Sequence, residues 1–208
     1  PNRDGTKGVG GCIFCSQGGS GEFAVKGNNV LEQLELAKEK IKHKINDDAG
    51  FICYFQSFTN TYASVEKLKE LYNSALKFDN IVAVSIATRP DCLGEDVLSL
   101  LDELNQKIPV IIELGLQTSN ENTAHFINRC YSNKCFKDSV DKLNKLNIET
   151  IAHVIIGLPG ETVEDYVNSV KYACCCGIKG IKLQLLHVLK NTSNLTNYIN
   201  APYNCPLY

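Results

Sequence analysis

The sequence predicts an α/β protein built around a parallel β-sheet, and two observations carry this prediction. Short apolar runs alternate with amphipathic stretches at a spacing of about 30 residues, which is typical of repeated β-α-β units. The runs are apolar almost from end to end, as expected for strands that are covered on both faces. A barrel and an open, doubly wound sheet both fit this order of elements.

Five apolar runs predict the strands, and each is rich in β-branched or aromatic residues. They lie at residues 51–55, 81–86, 110–116, 150–156 and 181–186. The first run, FICYF, is mainly aromatic, whereas IVAVSI and VIIELGL consist mostly of valine, isoleucine and leucine. None of the runs has the length of a helix, and each is followed by polar or glycine-containing segments.

Helical periodicity fills the intervals between these runs. Apolar residues recur every three or four positions, which predicts helices near residues 30–45, 65–76, 97–104 and 136–146. A further helical stretch, between the third and fourth of these, reaches Arg129. Asn28 is the expected N-cap of the first helix. Thr162, with Asp165 three residues later, predicts the start of the last helix, which we expect to run through the CCC segment and end at Gly177.

Composition limits the class of protein. The 208 residues are 44% hydrophobic and 21% charged, which predicts a single domain, residues 1–208, with a substantial core. A net charge of −2 gives no whole-chain case for a nucleic-acid or membrane surface as partner, and no apolar run is long enough to span a bilayer. Ten cysteines without regular spacing favour a cytoplasmic protein with a metal site over an extracellular disulfide framework.

Polar side chains follow all five predicted strands. They are Gln56, Ser57, Thr59 and Asn60, then Thr88, Arg89 and Asp91, then Gln117 and Thr118, then residues 157–161, and finally His187 and Lys190. In barrels and in open parallel sheets alike, the chemistry lies at the carboxyl ends of the strands. One polar residue after a strand is ordinary turn chemistry, but five polar ends together indicate a site.

Cys12 and Cys15 form a CxxC pair inside a glycine-rich loop. Such a pair can be half of a zinc site, a redox dithiol or part of an iron–sulfur site. A zinc site needs a second close pair of ligands, which the sequence does not offer convincingly. A redox dithiol normally lies at a helix N-terminus, whereas loops flank this pair on both sides. Glycine allows a loop to pass close to a bulky cluster.

Seven segments, in order along the chain, resemble the radical S-adenosylmethionine (SAM) superfamily. They are PNRDGTKGVGGCIFC, YFQSFTNTY, ATRPDCL, ELGLQT, INR, HVIIGLPGET and LQLLHVLKNT. The resemblance is greatest to the YhcC/YtqA-like bacterial group, which is related to the elongator catalytic subunit and to oxygen-independent coproporphyrinogen oxidase. It implies a partial (β/α)6 TIM-type barrel of parallel strands.

The resemblance also implies a set of cluster ligands. In that group three cysteines hold a 4Fe–4S cluster, and Cys12 and Cys15 match the second and third of them. The first is expected immediately before Pro1, and the first strand of the barrel is expected to be missing from this chain together with it. The C-terminus is expected to be cut as well.

An activity follows from the same resemblance. Three thiolates leave one iron open, and SAM binds it through its amino and carboxylate groups. Reductive cleavage of SAM then gives a 5′-deoxyadenosyl radical, which abstracts hydrogen from an unknown substrate, either a small molecule or tRNA. An electron donor such as flavodoxin or ferredoxin is implied as a partner.

Several SAM contacts are implied near the cluster loop. Phe14 matches an aromatic residue that packs near adenine. Gln56, Ser57 and Thr59 lie where the superfamily binds the SAM amino group, although QSFTN departs from the usual glycine-rich pattern. Gly157, in IIGLPGE, matches a strand end whose backbone lies along adenine, and glycine permits this close approach.

Further contacts are implied for the SAM ribose and carboxylate. Gln117 and Arg129 match a glutamine and an arginine that contact these groups, and an arginine pairs well with a carboxylate. The alternative for Arg129 is a position on a solvated helix. His153 matches a ribose-contacting aspartate in some relatives, and its alternative is a structural role within an apolar strand.

Glu113 lies within a predicted strand, and a buried carboxylate needs a partner. Arg89 and Lys182 on neighbouring strands are the candidates, and the carboxylate serves either a structural pair or a ligand.

Three other functions stay open from the sequence alone. One is a tRNA-modifying radical SAM enzyme, and another is a non-catalytic iron–sulfur or zinc-binding module. The third is a metal-independent barrel aldolase, for which Lys182 is the candidate lysine. The remaining cysteines show no ligand spacing; Cys53 is expected in the core, and neighbours in the CCC segment cannot all face one metal.

Overall fold

The computed structural model describes residues 1–15, 25–46 and 48–187. Within them, five parallel strands form one sheet in the order β1-β2-β3-β4-β5. The strands are β1 (Phe51–Phe55), β2 (Ile81–Thr88), β3 (Val110–Gln117), β4 (Glu149–Ile156) and β5 (Gly180–Leu185). All five apolar runs are therefore strands, with ends within two residues of the predicted ones.

Six α-helices follow the predicted alternation. They are α1 (Val30–Ile41), α2 (Val65–Ala75), α3 (Glu95–Asn105), α4 (Glu121–Phe126), α5 (Asn133–Lys145) and α6 (Val163–Cys175). Thr162 caps α6 in a capping box with Asp165, and Gly177 follows the helix with φ of +88°, as predicted. Among the described residues, no helix combines the length and the apolarity that a membrane span requires.

Two predicted features of α1 are wrong. The N-cap is Asn29 rather than Asn28, because the Asn29 side chain accepts the backbone N–H of Glu32 at 2.9 Å. The Glu32 carboxylate in turn accepts the backbone N–H of Asn28. The α-helix ends at Ile41 and continues as a single 3-10 turn, Lys42–Lys44.

The hydrophobic core lies between the sheet and the helices. Alternate strand residues such as Ile86, Ile112 and Leu114 are fully buried against helix residues such as Leu101 and Phe136. Because side chains alternate along a strand, the residues between them point to the opposite face of the sheet.

The sheet curls strongly around that opposite face. Lys182 of β5 and Tyr54 of β1 lie on its two edge strands, yet Lys182 Nζ is 3.3 Å from the Tyr54 hydroxyl. In a flat sheet, four strand spacings would separate these backbones by about 19 Å. The structure is therefore a partial barrel, as the resemblance implied, and the open doubly wound sheet is excluded.

Candidate functional site

The two-cysteine loop lies at the carboxyl ends of the strands. The backbone N–H of Ile13 donates to the carbonyl of Ile127 at 3.2 Å. The side chains of Ile13 and Phe14 pack against Ile127, Ile155 and Leu158 in a small hydrophobic cluster. Ile155 is the penultimate residue of strand β4. The loop is therefore anchored at the carboxyl edge of the sheet, where the sequence predicted a site.

Asn128 holds the same loop through its side chain and its backbone. Its Nδ2 donates to the carbonyls of Val9 and Gly11 at 2.8 and 2.7 Å. Its carbonyl accepts Nδ2 of Asn2 at 3.3 Å, and that amide also lies 3.4 Å from Sγ of Cys12. Cys12 is thus held by this network, and the backbone N–H of Cys15 donates to the Cys12 carbonyl at 3.0 Å.

The two thiols lie side by side and have different acidities. A hydrogen bond from the Cys15 thiol lowers the pKa of Cys12 to about 7, with further contributions from Asn2 and from the positive charges of Arg89 and Arg3. The same hydrogen bond and burial raise the pKa of Cys15. Thiol ligands bind a metal as thiolates, so a bound cation would have to displace the proton that the pair shares.

These two thiols fit an iron–sulfur cluster as thiolate donors, but they are two ligands and not three. Among the residues that the structure describes, no group of three or more His, Cys, Asp or Glu side chains is placed to hold a metal ion. The other cysteines fit the sequence-based interpretation: Cys53 is buried in the core, Cys174 and Cys175 are exposed, and Cys176 is buried. Cys205 and Lys190 lie outside the described residues.

The loop that follows β1 borders the cysteine loop. Gln56, Ser57 and Thr59 are all half-buried there. The Asn60 amide fixes the turn, because Nδ2 lies within hydrogen-bond distance of the carbonyls of Phe55, Ser57 and Ala87. Two contacts join the loops: Thr6 to the Tyr62 hydroxyl at 2.6 Å, and the Arg3 guanidinium over the ring of Phe58.

Gln117 ends β3 with φ of +62°, and its side chain is held by a tyrosine that the sequence analysis did not single out. The Tyr131 hydroxyl lies 2.8 Å from Oε1 of Gln117 and 3.0 Å from the carbonyl of Gly115. The guanidinium groups of Arg89 and Arg129 each lie 4.9 Å from the Tyr131 ring. Because Tyr131 donates to Oε1, the amide nitrogen of Gln117 is left as the hydrogen-bond donor toward a ligand.

Arg129 is buried, with only 1% of its side chain exposed. Its N–H groups are accepted by the carbonyls of Tyr131, Leu116 and Thr118, by Oδ1 of Asn133 and by Oε2 of Glu121. A position on a solvated helix is therefore excluded. Contact with the SAM carboxylate stays a prediction, and it requires the guanidinium to exchange one of these five partners. Glu121 is the accessible one, since 53% of its side chain is exposed.

Inside the curled sheet, each strand contributes one polar side chain to a single cluster, which we call the polar layer. It consists of Tyr54, Ser85, Glu113, His153 and Lys182, from β1 to β5 in order. The Glu113 carboxylate is at its centre. It accepts hydrogen bonds from Tyr54 at 2.8 Å, from Ser85 and Lys182 at 3.0 Å, and from Nε2 of His153 at 2.5 Å.

The polar layer shows which of the two candidate residues pairs with Glu113. Lys182 is that partner, whereas the other candidate, Arg89, is paired with Asp91 through two hydrogen bonds of 2.9 and 2.8 Å. Burial alone would raise the pKa of Glu113, but hydrogen bonds from His153, Lys182 and Tyr54 outweigh burial and hold it at about 2. Glu113 is consequently an anion at physiological pH.

His153 and Gly157 lie at different depths. His153 is in the interior of β4, in the polar layer, while Gly157 follows the end of that strand with φ of +96°. An added Cβ at Gly157 would meet only Leu186, at 3.7 Å, so backbone conformation rather than crowding requires the glycine. The structure thus brings Gly157, Gln117 and the cysteine loop to one edge and places His153 below it.

Sequence reasoning missed Tyr54, Ser85, Asn128 and Tyr131. The alternation within FICYF could have assigned Tyr54 to the face opposite Cys53. For Asn128 and Tyr131 there was no such signal, since both lie in the irregular segment between α4 and α5, where no periodicity applies.

Comparisons with known proteins agree with this geometry. A sequence model of the Radical SAM superfamily matches residues 7–173. YtqA of Bacillus subtilis is 44% identical over 201 residues, which cover 95% of this chain and 62% of YtqA. YhcC of Escherichia coli K12 is 36% identical, over 92% of this chain and 61% of YhcC. The chain therefore spans about three fifths of the length of these relatives.

The archaeal Elp3 of Methanocaldococcus infernus is similar in structure, with a TM-score of 0.72 and 15% sequence identity. The similarity covers 82% of this chain and 45% of Elp3. At this low identity, the similarity shows the shared fold.

Proposed function

Since the chain belongs to the radical SAM superfamily, we propose that it is the catalytic core of an enzyme that uses a 4Fe–4S cluster and SAM to abstract hydrogen from a substrate. The observation that carries this proposal is the placement of Cys12 and Cys15. Their thiols lie together in a loop that packs against Ile127 and against Ile155 near the carboxyl end of β4, at the edge of a partial barrel.

Cys12 and Cys15 would supply two thiolates to the cluster, and we propose that a cysteine immediately before Pro1 in the longer protein supplies the third. A cluster held by these thiolates would supply an iron site for SAM and the one electron that splits SAM into methionine and a 5′-deoxyadenosyl radical. The electron would come from a donor such as flavodoxin or ferredoxin. Arg3 and Arg89, whose charges already lower the pKa of Cys12, would help to offset the negative charge of the thiolates.

The protein's own contribution is to place SAM. We propose that the Gln117 amide, oriented by Tyr131, donates to the ribose, and that the backbone at Gly157 and the Phe14 ring border adenine. The loop with Gln56, Ser57 and Thr59 would face the amino group. The SAM carboxylate would reach Arg129 by replacing Glu121, the exposed member of that network.

The aldolase alternative is disfavoured by the surroundings of Lys182. A Schiff-base lysine must attack as a neutral amine. Nζ of Lys182 is instead held by two partners, the Glu113 carboxylate at 3.0 Å and the Tyr54 hydroxyl at 3.3 Å, so it is not presented as a free nucleophile.

Iron and sulfide analysis of the full-length protein tests the proposal. After anaerobic reconstitution, we expect about four irons and four sulfides per chain in the wild type. Cys12→Ala and Cys15→Ala should fail to retain the cluster. Cys174→Ala is the matched control, because that thiol is exposed on the last turn of α6 and should leave the cluster intact. Tight zinc binding without sulfide in the wild type would instead support a structural zinc module.

A further inference from the structure

The polar layer lies on the concave face of the sheet, which is open to a ligand. The core helices pack on the other face, where strand residues such as Ile112 and Leu114 are fully buried. On the concave face, Ile52 is 56% exposed and the Lys182 side chain is 39% exposed. Glu113 and His153 are more recessed, with 11% and 13% of their side chains exposed.

Glu113 itself offers little to a ligand. A carboxylate has about four acceptor positions, and Tyr54, Ser85, His153 and Lys182 already donate to it. Its role is therefore to hold these donors in place, which also explains why a charge can persist at this depth.

Two groups at the margin of the layer retain hydrogen-bonding capacity. The Lys182 ammonium has three N–H groups, of which the described residues accept two, at Glu113 and at the Tyr54 hydroxyl. Nε2 of His153 faces the Glu113 carboxylate, so Nδ1 is the ring nitrogen left to a ligand; within the described part of the chain it has no hydrogen-bond partner. When the imidazole is protonated, Nδ1 becomes a second donor beside the ammonium.

The charges decide which ligand these two groups prefer. The charges of Glu113 and Lys182 cancel, so the layer carries no excess negative charge toward a ligand, and the groups it presents are the Lys182 ammonium and the His153 ring. A cation would be repelled by the Lys182 ammonium, and an apolar group would deprive its third N–H of water without offering an acceptor. An oxyanion can accept hydrogen bonds from the ammonium and from an N–H at Nδ1 of His153.

On the premise of the proposed function, we propose that the polar layer binds an oxyanion of the substrate, a carboxylate or a phosphate group, through Lys182 and His153. Gly157, at the cluster edge, is four positions after His153, a distance of roughly 13 Å along an extended chain. The substrate would thus be anchored by its anion inside the barrel while its reacting C–H group lies near the cysteine loop.

Isothermal titration calorimetry of the full-length, cluster-loaded protein tests this proposal, with inorganic phosphate and with succinate as separate probes at constant ionic strength. We expect at least one of them to bind at a single site. Binding of phosphate alone identifies a phosphate ester as the substrate class, and binding of succinate alone identifies a carboxylic acid. The site should persist when SAM is saturating, because SAM is placed at the strand ends.

Lys182→Gln should weaken this binding by about tenfold or more, the effect of losing one charged hydrogen bond. Lys182→Arg should retain most of it. Lys179→Gln is the matched control, since Lys179 is exposed and immediately precedes β5, outside the polar layer. Far-UV circular dichroism of each variant checks folding. If Lys182→Gln does not fold, anion binding by Lys182→Arg becomes the test: retained binding supports the proposal, and loss of binding in a folded protein contradicts it.

Three results would overturn the proposal: no saturable binding of either probe to the wild type, equal binding to Lys182→Gln, or competition between the probe and SAM. The last result would assign the layer to the SAM carboxylate instead. Each is distinguishable from failure of the proposed function, which is read from iron, sulfide and SAM cleavage and not from anion binding.

Discussion

Lys182 and Tyr54 belong to the two edge strands of the sheet, and their side chains meet at 3.3 Å across its concave face. The ammonium also lies 4.8 Å from the Tyr54 ring centroid. This contact closes the polar layer, which joins all five strands through the Glu113 carboxylate. The polar layer therefore depends on the curvature of the sheet, because only a curled sheet brings these side chains together.

Acid should destabilise the protein partly through Glu113. The folded-state pKa is about 2, below the ordinary 4.5, so the stabilisation is complete above pH 4.5 and is lost as pH falls toward 2. A depression of this size corresponds to about 3 kcal/mol. Thermal unfolding at pH 5, 4 and 3 should show a steeper loss of stability in the wild type than in Glu113→Gln. Parallel pH profiles would contradict this assignment.

Tyr131→Phe should weaken SAM binding while the fold persists. The variant loses the hydroxyl that orients Gln117 but keeps the ring between the two guanidinium groups. Loss of one neutral hydrogen bond predicts a cost of about 0.5–1.5 kcal/mol in SAM binding free energy. Equilibrium binding to the cluster-loaded protein measures this. Tyr172→Phe is the control: it loses the hydrogen bond from α6 to the Asn133 carbonyl and should bind SAM normally. If the wild type, Tyr131→Phe and Tyr172→Phe all bind SAM with equal affinity, Tyr131 has a packing role only.

Exchange of Glu121 for SAM at Arg129 has a measurable signature. Glu121→Gln removes the competing charge, so SAM affinity should rise by up to about 1 kcal/mol, while Arg129→Lys should lower it by about 1.5–3 kcal/mol. Glu95→Gln is the control, because Glu95 also begins a helix and pairs with an exposed lysine. If Arg129→Lys keeps full SAM affinity in a folded protein, the guanidinium serves structure alone.

Thr162→Ala should destabilise the protein by about 1 kcal/mol, the usual cost of losing an N-cap. The hydroxyl and the Asp165 carboxylate form the capping box at the start of α6. Ser99→Ala provides the comparison, since Ser99 lies in the interior of α3 and only bonds back to the Glu95 carbonyl. Chemical denaturation of both variants should show the loss in Thr162→Ala alone.

The elements of the fold were predictable because each strand is a mostly apolar run and the longer helices have a clear period. The N-cap of α1 was not, since Asn28 and Asn29 are equally good capping residues and only the position of Glu32 distinguishes them. The cysteine pair and the strand-end residues were predictable from the local sequence together with the resemblance.

The side-chain contacts inside the site could not be predicted from the local sequence, because they join residues that are far apart along the chain. Whether Lys182 or Arg89 pairs with Glu113 is decided by the curl of the sheet and by Asp91, two residues after Arg89. The burial of Arg129 depends on acceptors from several separate segments, which no spacing along the chain reveals. Long-range side-chain networks of this kind follow from the tertiary structure and not from the pattern of the sequence.

Formation of 5′-deoxyadenosine tests most directly whether this chain is the core of a SAM-cleaving enzyme. The full-length protein, reconstituted anaerobically and given SAM and a strong reductant, should produce 5′-deoxyadenosine, detected by chromatography and mass spectrometry. Cys12→Ala and Cys15→Ala should produce none, while Cys174→Ala should match the wild type. A wild-type protein that carries a full cluster, binds SAM and still forms no 5′-deoxyadenosine under reduction would contradict the claim.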